Sequence, residues 1–118
     1  MTKWFLKRCE ASRQGKKSAI IDFSSALAIG ERGNQPSVVT YGACKSFNRW
    51  FSNGIHHEYR RHCRNKAEGA VDLDVMTVTP SHVKTNMNPG YQLGAITASE
   101  LTKSIVDQLG YEQETMGS

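Results

Sequence analysis

Apolar residues are continuous in one stretch of the chain and periodic in the next. The run Ala-Ile-Ile at residues 19–21 is unbroken, which predicts a strand over residues 18–25 that is buried on both faces, as in a parallel sheet. After Tyr41 the apolar positions recur at steps of three and four residues, which predicts a helix over residues 41–61 with one strongly apolar face. The positions on that face are Cys44, Phe47, Phe51 and Ile55.

The second half of the chain repeats this change from strand to helix. Residues 72–79 are rich in β-branched side chains and precede a proline, so they predict a second strand. Residues 81–96 have no clear period and predict a long loop. A helix over residues 97–109 follows, opened by a capping box between Thr97 and Glu100. The residues of this helix that we expect to face inward are Leu101, Ile105, Val106 and Leu109.

The predicted order of strand, helix, strand and helix defines the fold class as α/β. Two buried strands joined by a helix form a right-handed parallel crossover. Two strands are too few to make a stable sheet alone. We therefore expect the chain to form the back half of a larger parallel sheet.

The chain carries an excess of basic residues. Lysine and arginine outnumber the acids 15 to 11 over 118 residues, which gives a net charge of +4. The excess lies in residues 3–17 and 60–66, which we expect to be solvated surfaces; nucleotide phosphates, acyl carriers and acidic lipid headgroups stay open as partners. No groove-reading motif or aromatic platform accompanies Tyr59 and the second basic stretch, so we expect no nucleic-acid partner. No apolar run approaches the roughly 18–20 residues that a membrane helix needs.

The cysteines and histidines predict neither a disulfide framework nor a metal site. The three cysteines form no C-x-x-C pair, which favours a reducing compartment, and we expect Cys9 and Cys44 to fill small gaps in the core. His56, His57 and His62 lack the i, i+4 spacing of a helical zinc site. We therefore expect no metal.

A stretch from residue 24 to residue 45 carries the candidate chemistry. The pair Ser24 and Ser25 lies at the predicted end of the first strand, and Tyr41 and Lys45 are four residues apart on the predicted helix, so they face the same way. A tyrosine alone is a poor acid or base at neutral pH, but a lysine ammonium stabilises the phenolate. A serine hydroxyl can hold a substrate oxygen while the tyrosine delivers a proton to it. The pattern indicates redox chemistry between a carbonyl and an alcohol.

Three motifs in this order resemble the C-terminal half of the short-chain dehydrogenase/reductase family. They are IDFSS at residues 21–25, YGACK at residues 41–45 and VTPSHVKTNM at residues 78–87. Phe51 and the HEYR sequence at residues 57–60 resemble the branch of 17β-hydroxysteroid dehydrogenases and very-long-chain 3-oxoacyl-CoA reductases. The resemblance implies the C-terminal part of a Rossmann-type doubly wound parallel sheet.

The resemblance also implies roles for individual residues. Tyr41 would be the catalytic acid/base, Lys45 would favour its ionised form and bind the nicotinamide ribose, and Ser25 would position the substrate carbonyl. Residues 81–96 would form the substrate loop. The cofactor would be NADP or NAD, and the further residues implied to line its site are Pro80, Val83 and Thr85.

The sequence departs from the family pattern at several points. More residues separate Ser25 from Tyr41 than is usual, so we expect an insertion within residues 31–35, and Ser24 and Ser37 stay open as the catalytic serine. Where the third motif usually has a glycine, this chain has a serine. The sequence contains no glycine-rich cofactor fingerprint, and we expect that fingerprint and the catalytic asparagine to precede Met1.

Two functions of different kinds follow from these expectations. The first is an NAD(P)(H)-dependent oxidoreductase that interconverts a ketone and a secondary alcohol on a steroid or 3-oxoacyl lipid, inactive as these 118 residues alone. The resemblance implies a homodimer through the helix over residues 41–61 and an intracellular location, in the cytoplasm or at the endoplasmic reticulum membrane. The alternative is a non-catalytic protein that acts by dimerisation through this helix, where Phe47, Trp50 and Phe51 would be core or dimer contacts.

Overall fold

The structure is a computed structural model that describes residues 3, 4, 7, 17–29, 36–64, 73–86 and 94–117. The elements in these ranges follow the predicted α/β order. They are β1 (Ser18–Phe23), a short 3-10 helix (Ala26–Ala28), α1 (Val39–Arg64), β2 (Leu73–Val78), β3 (Val83–Lys84), β4 (Ile96–Thr97), α2 (Ala98–Gln108) and β5 (Glu114–Thr115).

The strands form a parallel sheet in the order β1-β2-β5. Pairing of β1 with β2 runs from Ser18 opposite Leu73 to Phe23 opposite Val78. Because both strands run the same way and α1 connects them, the predicted parallel crossover is confirmed. The remaining strands, β3 and β4, form a separate parallel pair. The predicted loop over residues 81–96 thus contains β3 and the first residue of β4.

The core lies on both faces of β2. On one face Met76 and Val78 pack against Leu101 and Ile105 of α2. On the other face Leu73 and Val75 pack against Ile55 of α1. The apolar and β-branched run of β2 is therefore buried on both sides, as its composition predicts.

Burial on both faces was the wrong prediction for β1. Its residues alternate, and Ile21 and Phe23 are 38% and 46% exposed. These two residues pair with Met76 and Val78 of β2, and α2 covers the β2 residues. On this face of the sheet, α2 therefore covers the middle strand, β2, and leaves β1 exposed. Among the described residues, β1 is an edge strand.

The apolar stripe of α1 also lies differently from the prediction. Ile55 is buried, but Phe47 and Trp50 are 67% and 74% exposed, and Cys44, predicted to fill a core gap, is exposed as well. The most deeply buried positions of the helix include Gly42 and Ser52. Small and polar residues thus lie on the buried side of the helix, and most of its aromatic side chains face solvent.

The capping box is present as the sequence predicts. Thr97 Oγ1 accepts from the backbone N–H of Glu100 at 3.2 Å, and Glu100 Oε2 accepts from the backbone N–H of Thr97 at 2.8 Å. Val106, predicted to face inward, is exposed on the outer side of α2. Predictions for Cys9 and for the insertion over residues 31–35 lie outside the described residues.

Candidate active site

The serine pair follows β1 and begins a turn that is fastened to the end of β2. Ser25 is the N-cap of the 3-10 helix, and its Oγ accepts from the backbone N–H of Leu27 at 3.2 Å. The next residue, Ala26, donates its backbone N–H to the carbonyl of Pro80 at 3.0 Å. The segments that follow these two parallel strands therefore meet at one edge of the sheet, where open α/β sheets bind ligands.

Lys45 reaches from α1 to the same edge. Its Nζ donates to the backbone carbonyl of Phe23 at 2.8 Å and lies 5.7 Å from the centre of the Tyr41 ring, which is within cation–π distance. Tyr41 itself is 48% exposed. The predicted i, i+4 pair thus shares one face of the helix beside the end of β1, with the tyrosine open to solvent.

The two other candidate serines occupy different environments. Ser24 is buried, as Ser25 is, but its Oγ donates to the backbone carbonyl of Lys45 at 2.6 Å. Ser37 is exposed in the turn before α1 and has a left-handed backbone conformation with φ of 69°. Of the three serines, Ser25 is the one whose side chain caps the turn at the sheet edge.

Asn48 is a neighbour of the site that the sequence interpretation missed. Its Nδ2 lies 3.5 Å from the Phe23 carbonyl that also accepts from Lys45, so this carbonyl faces two donors of α1. The signal was available, because Asn48 is seven residues after Tyr41 and three after Lys45 and falls on the same helical face.

The residues expected to line the cofactor are spread over the segment after β2. Pro80 is half-buried and joined to the serine turn through its carbonyl. Val83 on β3 packs against the core cluster beneath α2. Thr85 is exposed just beyond β3. The structure thus brings Pro80 to Ser25 and leaves Thr85 at the surface, while Val83 helps to fix this segment to the core.

Polar contacts fix α1 on the sheet below the candidate site. The buried Ser52 donates its hydroxyl to Asp22 of β1 at 2.7 Å. On β5, the outer strand opposite β1, the carboxylate of Glu114 binds the guanidinium of Arg49. This hydrogen bond raises the pKa of Arg49. These contacts hold the helix that carries Tyr41 against both outer strands.

The described part of the chain has neither a cluster of metal-binding side chains nor a helix that could span a membrane. It contains no group of three or more histidine, cysteine, aspartate or glutamate side chains that could hold a metal ion. Among the same residues, no helix has the length and apolar character needed to cross a membrane.

The fold is similar to that of solved dehydrogenase structures. The sequence matches no family model and no curated protein. One structural neighbour is a 7β-hydroxysteroid dehydrogenase, with a TM-score of 0.72 and 22% identity over 99% of this chain and 42% of that chain. Another is a bulky-bulky ketone specific alcohol dehydrogenase from Comamonas testosteroni, with a TM-score of 0.60 and 20% identity over 94% of this chain and 37% of that chain.

These similarities define the class of fold. The chain has part of the α/β fold of these two dehydrogenases, with a parallel sheet of the Rossmann type, and it spans about two fifths of the length of the two neighbours. The predicted fold class is therefore confirmed.

Proposed function

We propose that this chain carries the proton-transfer side of a short-chain dehydrogenase/reductase, an oxidoreductase that interconverts a ketone and a secondary alcohol. The observation that carries the proposal is the placement of Lys45, which binds the Phe23 carbonyl and faces the Tyr41 ring at the ligand-binding edge of a parallel sheet. The fold shared with two dehydrogenases supports the same class of activity.

Each side chain has a role in this proposal. The Tyr41 hydroxyl gives a proton to the carbonyl oxygen and becomes a phenolate, or the Tyr41 phenolate takes a proton from the alcohol, and the Lys45 ammonium stabilises the phenolate. Ser25 uses its oxygen as an acceptor within the turn, which leaves its O–H bond to donate to the substrate oxygen. When bound, NADP or NAD supplies or accepts the hydride.

The residues present fit the ribose side of a nicotinamide cofactor. Tyr41 and Lys45 place a hydroxyl and an ammonium on one face at the sheet edge, where they can bind sugar hydroxyls. Pro80, Val83 and Thr85 would line the rest of this side. The sequence contains no glycine-rich turn for the pyrophosphate, so we expect weak cofactor binding and no turnover by these residues alone.

The proposed substrate is a steroid or a 3-oxoacyl lipid. The sequence motifs favour the 17β-hydroxysteroid dehydrogenase and 3-oxoacyl-CoA reductase branch, and one structural neighbour is named for a hydroxysteroid. The same resemblance favours an intracellular location, in the cytoplasm or at the endoplasmic reticulum membrane.

Cofactor titration tests the proposal. We expect NADPH to quench the tryptophan fluorescence of the chain, and Lys45→Ala and Tyr41→Phe to weaken that quenching. Lys103→Ala is the matched control, because Lys103 is exposed on α2. Absence of any quenching at millimolar NADPH, or equal losses in Lys45→Ala and Lys103→Ala, would contradict the proposal.

A second candidate function is dimerisation through α1. Phe47 and Phe51 stack with their ring centres 5.8 Å apart, and both are exposed beside Trp50. An exposed cluster of aromatic side chains is typical of a protein–protein contact. We expect Phe47→Lys to shift the sedimentation coefficient from dimer to monomer and Val106→Lys, on the exposed side of α2, to leave it unchanged. A monomeric parent chain at high concentration would exclude this function.

A further inference from the structure

Ser24 is a buried hydroxyl held in place by the sheet. Only 3% of the residue is exposed, and its backbone N–H donates to the carbonyl of Val78 at 2.8 Å, which continues the ladder between β1 and β2. Its Oγ donates to the backbone carbonyl of Lys45 at 2.6 Å. This bond joins the ladder between β1 and β2 to the second turn of α1.

The residue before Ser24 binds the other end of the same lysine. The Phe23 carbonyl accepts from Lys45 Nζ at 2.8 Å. One two-residue segment at the end of β1 therefore fixes both the backbone and the ammonium of Lys45. A carbonyl oxygen has two lone pairs, so that of Lys45 can accept from Ser24 in addition to its helical bond.

We infer that Ser24 is a positioning residue, whose hydroxyl sets the place of Lys45 beside Tyr41. This inference rests on the proposed function, and it gives different roles to Ser24 and Ser25. Ser24 fixes the helix, and Ser25 faces the substrate. The requirement is strict, because a displacement of about 1 Å in a reacting group can cost on the order of a hundredfold in rate.

The chain offers a matched control for the hydroxyl of Ser24. Ser52 is equally buried, and its Oγ donates at 2.7 Å to Asp22 on the same strand. Ser24→Ala and Ser52→Ala therefore each remove one buried hydroxyl that joins α1 to β1. Only the first removes a bond to Lys45, so a general loosening of the helix would affect both variants alike.

Lysine acylation measured by mass spectrometry tests the inference without relying on catalysis. The rate at Lys45 is compared with that at the exposed Lys103 in the same sample. We expect Ser24→Ala to raise the relative rate at Lys45 by about threefold to tenfold, the effect of one hydrogen bond, and Ser52→Ala to leave it within twofold of the parent. An unchanged rate in Ser24→Ala, or equal increases in both variants, overturns the inference.

Two further measurements keep the result clear. Ser24→Cys retains a group of similar size with a weaker donor, so it provides a folded variant if Ser24→Ala does not fold. We expect its acylation rate at Lys45 to lie between those of the parent and Ser24→Ala. If the relative acylation rate at Lys45 in Ser24→Cys equals that of the parent chain, the inference is overturned as well. We expect the dissociation constant for NADPH to rise about tenfold in Ser24→Ala and not in Ser52→Ala. If the parent chain binds no NADPH, the proposed function fails while the acylation rates still decide whether Ser24 positions Lys45.

Discussion

Arg49 on α1 binds both carboxylate oxygens of Glu114 on β5. Nε lies 2.7 Å from Oε1 and Nη2 lies 2.9 Å from Oε2, between residues 65 positions apart in the chain. The two side chains are about a quarter exposed. A two-point contact of this kind has fixed geometry, so it ties the last strand to the helix that carries the candidate site.

Loss of this ion pair should loosen β5. We expect Glu114→Gln to lower the free energy of unfolding by about 0.5–1 kcal/mol, the range for a well-oriented and partly exposed pair. Urea denaturation at low salt measures the change, and Glu112→Gln, an exposed residue nearby, is the control. A double-mutant cycle of Arg49→Leu with Glu114→Gln that gives no coupling energy would show that the pair contributes nothing.

Acid should weaken the start of α2 through Glu100. Hydrogen bonds from the backbone and hydroxyl of Thr97 hold the pKa of Glu100 below its usual 4.5. Because the folded pKa is the lower one, the stabilisation is complete above pH 4.5 and is lost as the pH falls through the folded value.

The variant Glu100→Gln tests this sign. Its stability should fall less than that of the parent protein when urea midpoints are measured from pH 7 to pH 3. Thr97→Val, which removes the hydroxyl donor, should reduce the same pH dependence in part. Parallel curves for parent and Glu100→Gln would show that the capping carboxylate does not couple to folding.

Gly117 leaves no space for a side chain. Its φ is +80°, and a Cβ at this position would overlap the Leu101 side chain and lie 3.4 Å from that of Ile96. We expect Gly117→Ala to lower the free energy of unfolding by about 1–3 kcal/mol through backbone strain and overpacking. Gly110→Ala shares the left-handed backbone but meets only Asp74 at 3.3 Å, so thermal unfolding should show a smaller loss. Equal losses would mean that contact with Leu101 is irrelevant.

Ser37 provides the opposite case, a residue that glycine should improve. Its φ of 69° is unfavourable for a side chain, so Ser37→Gly should keep or raise the free energy of unfolding, by up to about 1 kcal/mol. Urea denaturation measures this change, and a lower free energy of unfolding in Ser37→Gly would show that the left-handed backbone of Ser37 is not strained.

Local sequence signals predicted several elements well. The capping box of Thr97 and Glu100 is present because it depends only on neighbouring residues, and the β-branched composition of residues 73–78 is enough to predict the strand β2. The relation of Tyr41 to Lys45 is local for the same reason, since a helix alone brings i and i+4 together. The roles of these residues in catalysis stay predictions.

Features that depend on distant partners could not be predicted. Periodicity identified the apolar side of α1, but not that Gly42 and Ser52 would be buried while Phe47 is exposed. The prediction that Val106 faces inward was wrong for a similar reason. The spacing of apolar residues in α2 does not indicate how far the sheet extends beneath the helix. The hydrogen bond from Ser24 to Lys45 joins residues 21 positions apart, and no pattern in the sequence predicts it.

The parallel pairing of β1 with β2 has a consequence for how fast the chain folds. Every pair in that ladder, from Ser18 and Leu73 to Phe23 and Val78, joins a residue that precedes α1 in the chain to one that follows it. No short turn can start the ladder, so a long loop must close and lose entropy before its contacts form. Refolding should therefore take milliseconds to seconds, the range of topologies rich in non-local contacts, with the sheet assembling only after α1 has brought its two strands together.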